Sequence, residues 1–342
     1  MHKASIDYTR MTKLERCALV EKVFVIYPRL KSLMHKMEHC LEYSKIAAEP
    51  ECMFIGGPAG AGKTTLQEHF LRKFPRTYNE DGAAIPVLCA RVPNRATDKT
   101  LATELLTKSG DPEAEKGSAY NQTARLRKFI HECKVLLLIL DEFQHFVDKD
   151  SKKVLKTVSD WLKNLIDQSQ TPVILIGMPY ADIILDASGN EQLQRRFAVR
   201  ERLDPFEWDT EEKQSEFRAF LKAVDDQLPL MQRSHLSDPL MAFRFYCATN
   251  GVVGKVMKIV RRAAELALDH STELLTLTVL AEAYDDRLRA DHPGRTNPFR
   301  ANKKDLKVIP LDSSMPEYLV KSSRLKSTSK TETASAVLKK SN

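Results

Sequence analysis

The stretch Ile55-Gly56-Gly57-Pro58-Ala59-Gly60-Ala61-Gly62-Lys63-Thr64-Thr65 carries the residue types that grip phosphate. Gly57, Pro58, Ala59, Gly60, Ala61, Gly62, Lys63 and Thr64 fit the pattern G-x-x-x-x-G-K-[ST], and Thr65 adjoins it. Small residues let consecutive backbone N–H groups turn inward around anionic oxygens, where a Cβ would crowd the ligand. A helix starting near Lys63 adds its positive end to the same place. Lys63 then reaches the β- and γ-phosphates of ATP, and Thr64 offers its hydroxyl to Mg²⁺.

A second half-site follows the apolar run Val135-Leu136-Leu137-Leu138-Ile139-Leu140, which ends in Asp141-Glu142. A carboxylate at the end of a central strand can hold Mg²⁺, the part given to Asp141, as a Walker-B Asp does. The adjacent Glu142 can polarise an attacking water. Phosphate loop and carboxylate pair together point to ATP and Mg²⁺ as cofactors and to hydrolysis. His145 has no partner histidine at a metal-binding spacing. The six cysteines (Cys17, Cys40, Cys52, Cys89, Cys133 and Cys247) are scattered without a C-x-x-C pair. Reduced thiols and no zinc site are expected.

These groups need elements to position them. Cys52 to Ile55 reads as the strand before the phosphate loop, and Thr65 to Leu71 has helical spacing after it. Ala84 to Ala90, Val135 to Leu140, Pro172 to Gly177 and Val199 to Leu203 read as further strands. Helices are expected over 97–108, 122–132 and 152–169, with breaker zones from Phe74 to Gly82 and from Ser109 to Ala119. Two helices lie between Thr12 and Ala48, parted at Tyr27-Pro28. Alternating strands and helices imply a doubly wound parallel sheet. From Thr210 onward only helices are expected, at 210–224, 238–249, 252–269 and 276–289.

The division that follows is a helical extension over 1–48, an α/β nucleotide-binding domain over 49–208, an all-α lid over 209–292 and a basic, mostly disordered tail over 293–342. The formal charge of +7 belongs to that tail: Arg295 to Asn342 holds 11 Lys/Arg and 4 Asp/Glu, so the remainder balances. Apolar segments such as Val308-Ile309-Pro310-Leu311 lie among the tail's charges and suit partner recruitment more than phosphate binding. No apolar run is long enough to cross a bilayer, and no secretory leader is evident, which points to a cytoplasmic protein.

Gly57 to Thr64, followed by Leu138-Ile139-Leu140-Asp141-Glu142-Phe143-Gln144-His145, resembles the AAA+ ATPases of DNA transposition, specifically the TniB/TnsC family. Val158-Ser159-Asp160-Trp161-Leu162-Lys163-Asn164-Leu165, Val173 to Pro179, Gln194-Arg195-Arg196-Phe197, Asn250 to Lys255 and Asn297-Pro298-Phe299 extend the similarity over residues 12–299. The resemblance implies an AAA+ fold and an ATP-dependent regulator that polymerises on duplex DNA as a ring or helical filament. Transposase subunits and a target-selection protein are the further partners implied.

It also implies that Arg195 or Arg196 acts as an arginine finger on a neighbouring subunit's nucleotide, and that Lys255 occupies the second sensor position. The first sensor is normally a polar residue at the end of the fourth strand. Here Gly177-Met178 follows, leaving that role unassigned. Candidate DNA contacts are Arg95, Lys99, Lys152, Lys153 and Lys156, with Arg125-Leu126-Arg127-Lys128 beside them; each reads equally as a solvated helix face. Two rivals share the nucleotide site: a helicase loader or origin-binding ATPase, and a signalling scaffold that binds nucleotide without DNA.

Overall fold

The computed structural model describes residues 8–80, 82–94, 96–146, 152–182, 185, 191–290, 294 and 296–308. Residues 1–309 cluster as one unit, and the tail beyond it, with its apolar segments from Ile309 onward, lies outside the described residues. The element order is α1 (Lys13–Glu21), α2 (Pro28–Tyr43), β1 (Met53–Gly56), α3 (Lys63–Lys73), β2 (Thr77–Asn79), β3 (Gly82–Ala84), β4 (Val87–Arg91), α4 (Asp98–Ser109) and α5 (Ala119–Glu132). Then come β5 (Leu137–Asp141), α6 (Lys152–Ser169), β6 (Val173–Gly177), α7 (Glu191–Arg196) and β7 (Val199–Arg202). Four helices follow: α8 (Glu211–Gln227), α9 (Pro239–Thr249), α10 (Val253–Asp269) and α11 (Leu277–Arg287).

The main sheet has five strands in the order β4-β5-β6-β1-β7, and every pairing in it is parallel. β1, β5 and β6 are buried at every residue, which is why they read as continuous apolar runs. Parallel pairing brings the carboxyl ends of all five strands to one edge, where ligands of open α/β sheets bind. The candidate residues sit there: Gly56 ends β1, Arg91 ends β4, Asp141 ends β5 and Gly177 ends β6.

Local chemistry sets the boundaries. Thr12 and Glu15 form a capping box at the start of α1. Pro28 stands at the first turn of α2, where its missing N–H costs nothing, so it starts a helix as well as breaking one. β4 begins after Pro86, a residue that has no N–H to give to the ladder. α5 starts at Ala119, earlier than its apolar spacing suggests, because the Ser118 side chain accepts from the Asn121 N–H.

The small β2–β3 hairpin lies inside what reads as a breaker zone. Its first strand, Thr77-Tyr78-Asn79, is exposed at every position and so carries no alternation to read. The lid helices share one core with the sheet and the N-terminal helices. That core extends past residue 292. Phe299 is 3% exposed and its ring packs edge-on to Phe245 at 5.1 Å. Asn297 donates to Ala281 O at 2.8 Å, and Arg244 to Ala301 O at 2.8 Å. Asn297-Pro298-Phe299, assigned to the tail on composition, thus closes the lid.

Candidate functional site

β1 delivers the phosphate loop into a crowded corner. The Gly57 N–H donates to Gly177 O at 3.0 Å, extending the β1–β6 ladder by one residue. A Cβ on Gly57 would lie 2.8 Å from the backbone oxygen of Leu203, just beyond β7, so only glycine fits there. Gly62, with φ of 102°, is the N-cap of α3, and no side chain caps this helix end. The first-turn amides of α3 therefore face the loop rather than a capping oxygen.

Lys63 Nζ donates to the Gly57 and Pro58 carbonyls at 2.6 and 3.0 Å. Burial lowers the pKa of this ammonium, while Glu142 and Asp141 oppose the shift. Thr64 and Thr65 are exposed beside Lys63. The lid closes the other side: the Gly254 N–H donates to Gly60 O at 2.8 Å, and Lys255 follows, half-buried.

Asp141 is 7% exposed, and burial pushes its carboxyl above the ordinary value, against the pull of the Glu142 N–H, which its Oδ1 accepts at 2.8 Å. Glu142 has φ of 58°, a left-handed conformation that costs a non-glycine residue energy and clusters at functional sites. Its carboxylate is held at both oxygens: Oε1 lies 3.4 Å from Arg91 Nη2, and Oε2 accepts from Gln144 Nε2.

Neither Arg91 nor Gln144 stands out in the sequence. Arg91 is signalled only by register, since it pairs with Asp141 across β4 and β5. Gln144 is masked by its more conspicuous neighbours. His145 donates from Nδ1 to Val92 O at 2.8 Å, a structural tie. Among the described residues no cluster of His, Cys, Asp and Glu could hold a metal by itself.

The two candidate finger arginines diverge. Arg196 is 11% exposed and pairs with Asp167 at 2.7 Å and Glu49 at 3.8 Å. Arg195, in the last turn of α7, is exposed. Lys99 and Lys156 are exposed on α4 and α6. Arg95 lies outside the described residues, as do the side chains of Lys152 and Lys153. Arg125 is engaged within its own subdomain, with Asp111 Oδ2 at 3.1 Å and the Lys116 carbonyl at 3.0 Å. Trp161 packs α6 on α5 and donates to Thr123 Oγ1 at 3.0 Å, so the Asp-Trp-Leu-Lys stretch includes a packing residue.

A nucleoside triphosphate with Mg²⁺ fits this donor set. The loop glycines leave backbone amides open to anionic oxygens, a Cβ on Gly60 would meet Val252 Cγ1 at 3.2 Å, and oxygen ligands stand on both sides in Thr64 and Asp141.

The sheet order, the phosphate loop after β1, the carboxylates after β5 and the helical lid define an AAA+ fold. Solved structures share it. The ORC2 protein of Aeropyrum pernix, determined as ADPNP–ADP complexes, is 16% identical, with a TM-score of 0.54 over 79% of this chain and 71% of that one. Cdc6p of Pyrobaculum aerophilum is 14% identical, with a TM-score of 0.59 over 79% and 71%. The Aeropyrum pernix ORC1 protein in complex with DNA is 14% identical, with a TM-score of 0.55 over 79% and 69%. At such identities the likeness is one of fold. No curated protein matches the sequence. The family described as bacterial TniB protein matches residues 16–208, more than half of the chain. The chain belongs to the TniB family.

Proposed function

We propose that this protein is an ATP-hydrolysing regulator of DNA transposition that assembles on duplex DNA and brings a transposase to its target. The observation that carries the catalytic part is the placement of the phosphate loop after β1 and of buried Asp141 with half-buried Glu142 after β5 at one sheet edge, under a lid resting on the phosphate loop. Membership of the TniB family and the resemblance of the Asp-Glu-Phe-Gln-His stretch support the transposition role. A DNA-bound protein of the same fold supports the DNA role.

In this reading the loop amides and Lys63 bind the phosphates, with Lys63 exchanging two carbonyl oxygens for phosphate oxygens. Thr64 and Asp141 would hold Mg²⁺, which when bound supplies positive charge against the β- and γ-phosphates. Glu142 orients the attacking water. Arg195 is the better finger candidate, because it is exposed while Arg196 is spent on Asp167 and Glu49. An arginine supplied to a neighbour's γ-phosphate ties turnover to assembly. Lys255 adds positive charge from the lid side, and exposed Lys99 and Lys156 are the described candidates for phosphate contacts on DNA. The four-part division into N-terminal helical extension, α/β domain, lid and recruiting tail is retained in this proposal.

The test is ATP hydrolysis measured against protein concentration, with and without duplex DNA, alongside negative-stain imaging. Turnover rising more than linearly, more steeply with DNA, together with rings or filaments on the duplex, is the expected result. Hydrolysis strictly proportional to protein and indifferent to DNA would overturn the assembly reading. Pull-down of a transposase subunit by DNA-bound assemblies tests the recruitment step.

A further inference from the structure

We propose that Gln144 is a positioning residue for Glu142, tying that carboxylate across the end of β6 to the phosphate loop. The inference rests on Glu142 being the carboxylate that orients water.

Gln144 is 7% exposed, in a one-turn 3-10 helix (Phe143–Phe146) pinned by the buried rings of Phe143 and Phe146. Both ends of its amide are used. Oε1 accepts the Met178 N–H at 3.1 Å, and Nε2 donates to Glu142 Oε2. The orientation is dictated rather than chosen. A backbone N–H can only donate, so the amide oxygen must face Met178 and the NH₂ must face the carboxylate.

Gly177 makes room for this arrangement. A Cβ there would lie 3.1 Å from Gln144 Oε1 and 3.4 Å from Gln144 N. The same residue's carbonyl accepts the Gly57 N–H at 3.0 Å. β6 lies between β5 and β1 in the sheet, so the contacts form an unbroken path: Glu142, Gln144, the Gly177–Met178 peptide, Gly57. A polar group missing from the end of β6 is thereby supplied from the β5 side.

The other grips on Glu142 differ in kind. Its N–H is held by Asp141 Oδ1, and its Oε1 faces Arg91, whose side chain is 70% exposed and free to reorient in water. The buried amide is the ordered hold. It fixes the direction of the carboxylate from a side chain that is itself buried and hydrogen-bonded at both ends.

The test combines Gln144→Met, which keeps the volume and removes both hydrogen bonds, with Gln144→Glu, which keeps the shape and the Met178 contact but turns an acceptor toward Glu142. Both variants should fold, bind ATP within about twofold of wild type, and hydrolyse it roughly 100-fold more slowly, the cost of misplacing a catalytic group by about 1 Å. The decisive arm is single-turnover hydrolysis in a Glu142→Gln background. There Gln144→Met should slow the reaction no further, because its target is gone.

Equal slowing in both backgrounds would mean that Gln144 only supports the fold, and wild-type hydrolysis in Gln144→Met would remove any role; either overturns the inference. Unchanged turnover in Glu142→Gln alone would instead overturn the assignment of Glu142. A slow Glu142→Gln beside a fast Gln144→Met would overturn only the part given to Gln144.

Discussion

The backbone N–H of Gly254, at the start of α10, donates to the carbonyl oxygen of Gly60 at 2.8 Å, so the lid touches the phosphate loop backbone to backbone. A Cβ on Gly254 would lie 2.8 Å from that oxygen and 3.1 Å from Gly60 Cα, neither of which is a flexible side-chain tip. Gly254→Ala should therefore prise the lid off the loop. Nucleotide affinity is expected to fall about tenfold, with an overpacking cost of about 1–3 kcal/mol. Fluorescent-nucleotide titration and thermal melting check both, and wild-type values in each would mean that the contact does not persist in solution.

Lys63→Ala removes the ammonium but leaves the loop glycines and the α3 N-terminus in place. Because Lys63 Nζ bridges only two carbonyls of its own loop, the variant should fold normally. ATP affinity should drop by at least tenfold, since a phosphate contact assisted by charge is worth about 1.5–3 kcal/mol. Isothermal titration with ATP decides it: wild-type affinity in the folded variant would sink the phosphate-loop assignment.

The sequence discloses this nucleotide site well because its signals are local. The glycines of the loop and the carboxylates after a six-residue apolar run are fixed by backbone conformation and by burial on both sheet faces, and both leave marks within ten residues. The five buried or half-buried strands are legible for the same reason. What stays hidden depends on neighbours distant in the chain. Arg91 reaches the site only through its register with Asp141. Gln144 matters because β6 lies beside β5, and Gly177 has no side chain in the way. Arg195 and Arg196 read as equivalent until α7 docks and Asp167 claims one of them. The Asn297-Pro298-Phe299 segment belongs to the lid because Phe245 and Tyr284 receive its ring, which composition alone does not reveal.

That difference between the arginines makes a paired experiment informative. Arg196 is largely buried against Asp167, so Arg196→Ala should destabilise the fold by about 1–3 kcal/mol and lower the melting temperature by several degrees. Arg195→Ala is expected to change stability by no more than about 0.5 kcal/mol, as exposed sites do. Its ATP affinity should match wild type, while hydrolysis falls by about 10³-fold even at high protein concentration. The reverse pattern would make Arg196 the finger and Arg195 a surface residue.

The N-terminal helix is fastened to the lid by Arg16 and Glu273. Nη1 and Nη2 of Arg16 donate to the two Glu273 oxygens at 2.9 and 2.5 Å, and Nε donates to Pro229 O at 2.9 Å. The Met231 N–H adds a third bond to the carboxylate at 3.0 Å. The Arg16 hydrogen bonds hold the Glu273 carboxyl below the ordinary glutamate value; burial, the next effect in size, opposes them, and the Met231 N–H adds a smaller lowering. A carboxyl whose folded value is depressed contributes stability that is present above its unfolded value, about 4.3, and lost as pH falls through the folded one. Glu273→Gln keeps the shape but turns one acceptor into a donor facing the guanidinium. At neutral pH it should cost about 1–2 kcal/mol, discounted for the partial exposure of the carboxylate. The gap from wild type should stay constant down to about pH 5 and then close as the wild-type carboxyl takes up its proton. Thermal melts of both proteins between pH 3 and 8 would test this, and a gap that persists unchanged into acid would mean the effect comes from packing rather than from the charge on Glu273.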